Sequence, residues 1–144
     1  MANVINYFRN ENSFLSNFAY AFIEIDGVRY PTVENAFQAM KCKDKEDRLM
    51  FVYQKPGAAK RLGRKVQLRE DWEDIKVKVM YILLVKKFSQ PEFREKLLAT
   101  GDARLIEGNT WGDKFWGVPF GKTGKNILGK LLMKVRQELR DGKY

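Results

Sequence analysis

A hairpin signal that runs straight into a helix start, over residues 22–41, most constrains what this chain can fold into. Asp26-Gly27 is a two-residue turn dipeptide. The segments on either side, 22–25 and 28–30, have strand-like composition. Directly after them comes Pro31-Thr32-Val33-Glu34-Asn35-Ala36-Phe37-Gln38-Ala39-Met40-Lys41. Thr32 reads as an N-cap, since its hydroxyl can accept from an orphan backbone N–H two or three residues on. At 100° per residue, Val33, Ala36, Phe37 and Met40 fall on one arc and Glu34, Gln38 and Lys41 on another. A carboxylate, an amide and an amine therefore share a face beside an apolar wall. That face is either solvated surface or the floor of a site.

Composition narrows the chemistry. A chain of 144 residues has room for one domain, 1–144, with a real core. At 44% hydrophobic and 13% aromatic it is too apolar for disorder. It carries no histidine and a single cysteine, Cys42, which excludes an intrachain disulfide framework, a Cys/His zinc site and His-dependent triads. No metal or other cofactor is called for. No run is apolar enough to span a membrane, the N-terminus lacks a signal-peptide pattern, and a cytoplasmic protein is the expectation. The net charge of +9 favours anionic partners such as nucleic acid, nucleotides or phosphorylated metabolites, although solubility alone also accounts for it.

The rest of the chain predicts further elements. A short strand is expected over 4–8, followed by a turn at 10–13 and a loop holding Asn17 between Phe14, Leu15 and Phe18. Helices are expected from Asp44 to Tyr53, over 58–66 with Pro56 before it suited to a first helical position and with basic residues Lys60, Arg61, Arg64 and Lys65, and from Asp71 to Phe88. The last of these is apolar almost all round and reads as the central core helix, with a stripe of Trp72, Ile75, Val79, Ile82 and Leu83. Asp71 is its expected cap, with Asp74 three positions on. A short helix over 91–98, closed by Gly101, and a strand over 103–107 follow.

Two late segments stand out. Residues 107–117 place Trp111, Trp116, Glu107 and Asp113 among glycines, in a stretch with neither helical nor strand periodicity. Large aromatics in a loop either fill a core or stack on a ligand. Gly121-Lys122-Thr123 is not a P-loop, because the pattern needs glycine where Trp116 stands. A Gly-rich turn with lysines running into a helix at Asn126 is still a candidate anion site. That final helix, to about Arg140, has a stripe of Ile127, Leu128, Leu131, Leu132, Val135 and Leu139.

Taken together, these stretches resemble the NADAR (NAD and ADP-ribose) or YbiA-like family of N-glycosidases. The resemblance is carried by residues 14–18, 31–41, Leu68-Arg69-Glu70-Asp71-Trp72, 107–117 and 124–136, in the family's order and over nearly the whole chain. It implies an α+β, helix-rich single domain with a few short strands. It also implies cleavage of a ribose–nitrogen bond. One implied substrate class is ADP-ribose on guanine nucleotide or nucleic acid; the other is a ribosylamino-pyrimidine phosphate of early riboflavin biosynthesis. The family often has histidine where Asn35 stands, so a histidine at that position plays no part here.

The family motif falls on Glu34 and Asp113 as the catalytic carboxylates. Lys41, seven positions after Glu34 and on the same face, is the expected Schiff-base nucleophile. Trp72, Trp111 and Trp116 are expected against the base or sugar, Asn17 and Gln38 on ribose hydroxyls, and Gly121, Gly124 and Asn126 around phosphate. The Glu34 face is expected to be partly buried and to look across a pocket at Asp113. A binding module that grips ADP-ribose or nucleic acid without turnover is the alternative reading.

Overall fold

The computed structural model describes residues 3–144. In chain order the elements are β1 (Val4–Ile5), a 3-10 helix Asn10–Leu15, β2 (Tyr20–Ile25), β3 (Val28–Thr32), α1 (Val33–Met40) and a 3-10 helix Lys45–Phe51. Then come α2 (Pro56–Leu62), α3 (Trp72–Phe88), α4 (Pro91–Ala99), β4 (Arg104–Leu105), β5 (Gly108–Asn109), β6 (Val118–Pro119) and α5 (Ile127–Arg140). The architecture is α+β and helix-rich, and among the described residues the strands form three two-stranded sheets. The chain divides into two compact units, Asn17–Lys87 and the segments that flank it in sequence.

In the unit Asn17–Lys87, β2 and β3 pair antiparallel about Asp26-Gly27, whose φ angles of 51° and 80° are those of a two-residue hairpin turn. The hairpin delivers the chain to Thr32, whose Oγ1 accepts from Asn35 N at 3.0 Å and starts α1. All eight residues of α1 are buried. Asn35 is a brace. Its Nδ2 donates to Phe51 O at 2.8 Å and Gln54 O at 2.7 Å, and its Oδ1 accepts from Thr32 Oγ1 at 2.6 Å.

Several expectations need correcting here. The segment after residue 44 forms a 3-10 helix rather than an α-helix. The α2 helix starts at Pro56, the residue suited to a first helical position, but stops at Leu62 rather than running to Val66. The α3 helix covers the expected span, but its buried line is Trp72, Met80, Leu83, Leu84, Lys87 and Phe88, while Ile82 is exposed. With apolar residues on nearly every side, periodicity could not single out the inward one. The Asp71 carboxylate is held by Arg69, with Nε–Oδ1 at 2.7 Å.

In the other unit, β1 and β4 pair in parallel, as do β5 and β6. Both pairs are only two residues long, shorter than the strands expected over 4–8 and 103–107. The α5 helix buries Leu128, Leu132, Val135 and Leu139. Gly101 follows α4 with φ 61°, the left-handed conformation that ends a helix. Among the described residues, no helix is long and apolar enough to cross a membrane.

Candidate active site

On α1, Glu34 is 8% exposed and Gln38 4% exposed. They lie one turn apart, and Gln38 Nε2 donates to Glu34 Oε2 at 2.6 Å. A carboxylate accepts but does not donate, so the amide nitrogen faces Glu34 and the oxygen faces away. That oxygen is buried and has no protein donor. Gln38 is therefore a brace for Glu34, and a direct bond from its oxygen to a ribose hydroxyl is not available in this arrangement. The N-terminus of α1 is held from the preceding loop, where Asn17 O accepts from Glu34 N at 3.1 Å. The Asn17 side chain points inward, with Nδ2 3.6 Å from Met80 Sδ and its buried oxygen lacking a protein donor. Asn17 thus anchors Glu34 through its backbone carbonyl, and its side-chain oxygen is turned away from solvent.

Lys41 stands at the C-terminal end of α1, half-buried. Its Nζ lies 5.8 Å from the centre of the Phe37 ring. Phe37 in turn packs on Trp72, with centroids 5.0 Å apart. Burial pushes the Lys41 pKa below the ordinary lysine value. Glu34 opposes that shift, while Arg64, Lys60 and Lys76 reinforce it. An amine with a lowered pKa holds more of its nucleophilic neutral form near neutral pH. Trp72 is 4% exposed and packed, so it backs the Phe37–Lys41 wall and offers little ring to a ligand.

The tryptophan loop has a different construction. Asp113 Oδ1 accepts from Phe115 N at 3.0 Å and from Trp116 N at 2.9 Å. Its backbone is clasped by the buried Asn109 amide, which donates to Asp113 O and accepts from Asp113 N. Trp111 is 53% exposed, and Trp116 is half-buried edge-on against Phe115 at 4.9 Å.

The expected phosphate cradle before α5 is largely occupied. Lys125 N, Asn126 N, Ile127 N and Leu128 N donate to the carbonyls of Lys114, Gly117, Phe115 and Trp116. Backbone groups that would hold an anion are thus spent on the tryptophan loop. Asn126 is a structural clamp with φ 53°, its Nδ2 donating to Leu105 O at 2.9 Å and its Oδ1 accepting from Glu107 N at 3.0 Å. Gly124 serves close packing, because a Cβ there would overlap the Gly117 carbonyl and lie 3.0 Å from Val118 Cα. Gly121, with φ 75°, turns the chain where Lys122 N donates to Pro119 O at 2.9 Å.

Sequence reasoning missed Gly63, which it placed inside a basic helix. Among the described residues, no group of three or more His, Cys, Asp or Glu side chains is placed to hold a metal ion.

Comparison with known proteins adds the relationship. The NADAR domain model matches residues 6–140. N-glycosidase YbiA of Escherichia coli (strain K12) is 40% identical over 142 residues, covering 94% of this chain and 88% of that protein. N-glycosidase Npun_R5314 of Nostoc punctiforme is 41% identical over 133 residues, covering 88% and 85%. Riboflavin biosynthesis protein VVA0006 of Vibrio vulnificus is 39% identical over 140 residues, covering 94% of this chain but 38% of that protein. The NMR structure of E. coli YbiA superposes with a TM-score of 0.86 at 39% identity, over 99% of this chain and 89% of that one.

Proposed function

The chain belongs to the NADAR family, and on that premise we propose that it is an N-glycosidase that breaks a ribose–nitrogen bond with Glu34 and Lys41. The observation that carries this reading is the packing of α1. A carboxylate held by an amide at 2.6 Å lies on a buried helix, and an amine with a burial-lowered pKa stands at that helix's C-terminal end. A buried Glu/Gln pair beside a half-buried lysine is costly unless it has work to do.

In the proposed reaction, the C1–N bond of the ribosyl group breaks and its electron pair leaves with the nitrogen, which takes up a proton. Glu34 stabilises the cationic character that develops at C1. The neutral amine of Lys41 attacks C1 and loses a proton; the ring C1–O4 bond then breaks, O4 takes up a proton, and the Nζ electron pair forms the C1=Nζ Schiff base of the opened sugar. Water then adds to C1, the C1–Nζ bond breaks, and the free sugar aldehyde and the lysine amine are restored. Asp113 is proposed as the second carboxylate, with its Oδ1 already bonded to two amides. Trp111 and Trp116 are proposed as surfaces for the base or sugar, and the basic residues around Lys41 as attraction for phosphate.

The substrate is proposed to be either ADP-ribose linked to guanine, in a nucleotide or nucleic acid, or a ribosylamino-pyrimidine phosphate. Relatives named as a riboflavin biosynthesis protein support the second. The net charge of +9 and the exposed Trp111 suit the first. Both substrates act in the cytoplasm in this reading. Side-by-side assay of the two, reading free ADP-ribose and free ribose 5-phosphate, decides between them. Binding of both without release of either favours a binding module. Borohydride added during turnover should fix a ribosyl adduct on Lys41, located by peptide mass mapping; an active enzyme with no adduct rules out the Schiff base. Asp113→Asn keeps the acceptor for Phe115 N and Trp116 N while removing the charge. A loss of turnover with unchanged stability supports a chemical role for Asp113, and full activity rules it out.

A further inference from the structure

Gly63 follows α2 with φ −60° and ψ −18°, a right-handed helical conformation that alanine adopts without strain. Its glycine is thus not required by the backbone. It is required by what lies against it. A Cβ at this position would overlap Gln38 Oε1 outright and stand 2.7 Å from Gln38 Cδ and 3.3 Å from Cγ. Gln38 has little freedom to yield. It is 4% exposed and its Nε2 is committed to Glu34 at 2.6 Å. The carboxylate also fixes which end of the amide faces Gly63, as shown above. Ordinarily a glutamine tip is cheap to displace, but this one is clamped between a glutamate and a glycine.

We propose that Gly63 is a positioning residue for the N-glycosidase reaction: the side chain it lacks leaves the space that seats the Gln38 amide, which in turn holds the Glu34 carboxylate. The proposal rests on the reading of Glu34 as a catalytic group. Gly63 touches no reacting atom. It acts through Gln38, and its effect belongs in the rate of the chemical step and not in substrate affinity.

The test is a double-mutant cycle with a spectroscopic readout on the full chain. Gly63→Ala should lower kcat tenfold or more, with KM within threefold of wild type and a thermal midpoint within a few degrees. In a Gln38→Ala background there is room for the added methyl, so Gly63→Ala should cost less than twofold further. The Gln38 side-chain amide protons, followed by 1H–15N NMR, should stand apart from the other glutamines in wild type and join them in Gly63→Ala. Full kcat in Gly63→Ala, equal losses in both backgrounds, or an unmoved Gln38 resonance each overturn the proposal. The underlying reading fails separately. If Glu34→Gln keeps full turnover, Glu34 is not catalytic. If Glu34→Gln is dead while Gly63→Ala is fully active, only the positioning role is lost.

Discussion

The α1 region and the tryptophan loop are both rich in polar groups near aromatics, and they treat those groups in opposite ways. Around α1, two buried side-chain oxygens, on Asn17 and Gln38, have no protein donor, and a lysine is half-buried against an aromatic ring. In the loop, Asp113 Oδ1 serves two amides, Asn109 clasps the backbone twice, and four amides at the start of α5 find four loop carbonyls. An unsatisfied buried acceptor costs about 1–3 kcal/mol. A fold retains such groups where geometry matters more than stability. The tryptophan loop has instead been built to hold its shape. Richness in polar residues alone would not have separated the two.

The largest expected effects fall on α1 and on activity. Glu34→Gln and Lys41→Ala should each reduce turnover by about a hundredfold or more, with little change in the urea midpoint. Retention of more than a tenth of wild-type turnover by both would remove the chemical role from α1. In the loop the large effect should be on stability. Asn126→Ala removes one buried and one part-buried hydrogen bond to the backbone and leaves a left-handed residue without asparagine's tolerance, and should cost about 2 kcal/mol or more in urea unfolding. A cost under about 0.5 kcal/mol would show that the clamp is not what holds the loop.

Two pH profiles sharpen the contrast. Since burial lowers the Lys41 pKa, the rate should rise with pH and level off below the range of an ordinary lysine amine. A rise that continues through that range would mean Lys41 titrates normally. Lys87 is fully buried and its pKa is lowered to about 7. A base with a depressed folded-state pKa binds fewer protons folded than unfolded, so stability should increase as pH rises from about 7 toward the ordinary lysine value. The Lys87 contribution to that slope is at most about 1.4 kcal/mol per pH unit, and Lys87→Met should flatten it in thermal melts across that window. The smallest effect is expected where the structure withdrew a site. With the α5 amides engaged, Lys122→Ala together with Lys125→Ala should change KM less than threefold, and salt should erase the difference. A tenfold, salt-resistant rise in KM would restore the phosphate cradle.

Local chemistry determined the parts of this protein that depend on near neighbours in sequence. Asp26-Gly27 sets the hairpin, Thr32 caps α1, Pro56 opens α2, Gly101 closes α4, and the stripe of α5 follows its 3.6-residue period. The glutamate, glutamine and lysine of α1 share a face for the same reason. Tertiary structure alone decided that this face would be buried, because burial depends on what the chain brings against it. The space Gln38 occupies is set by Gly63, twenty-five positions away, and no periodicity reports a missing Cβ. The start of α5 likewise read as an open anion site because its donors are local. Their partners at Lys114, Phe115, Trp116 and Gly117 are supplied by a loop whose path follows from Asn109, Asp113 and Asn126 acting together. Hydrogen-bond capacity is a property of residues, whereas its satisfaction is a property of the fold.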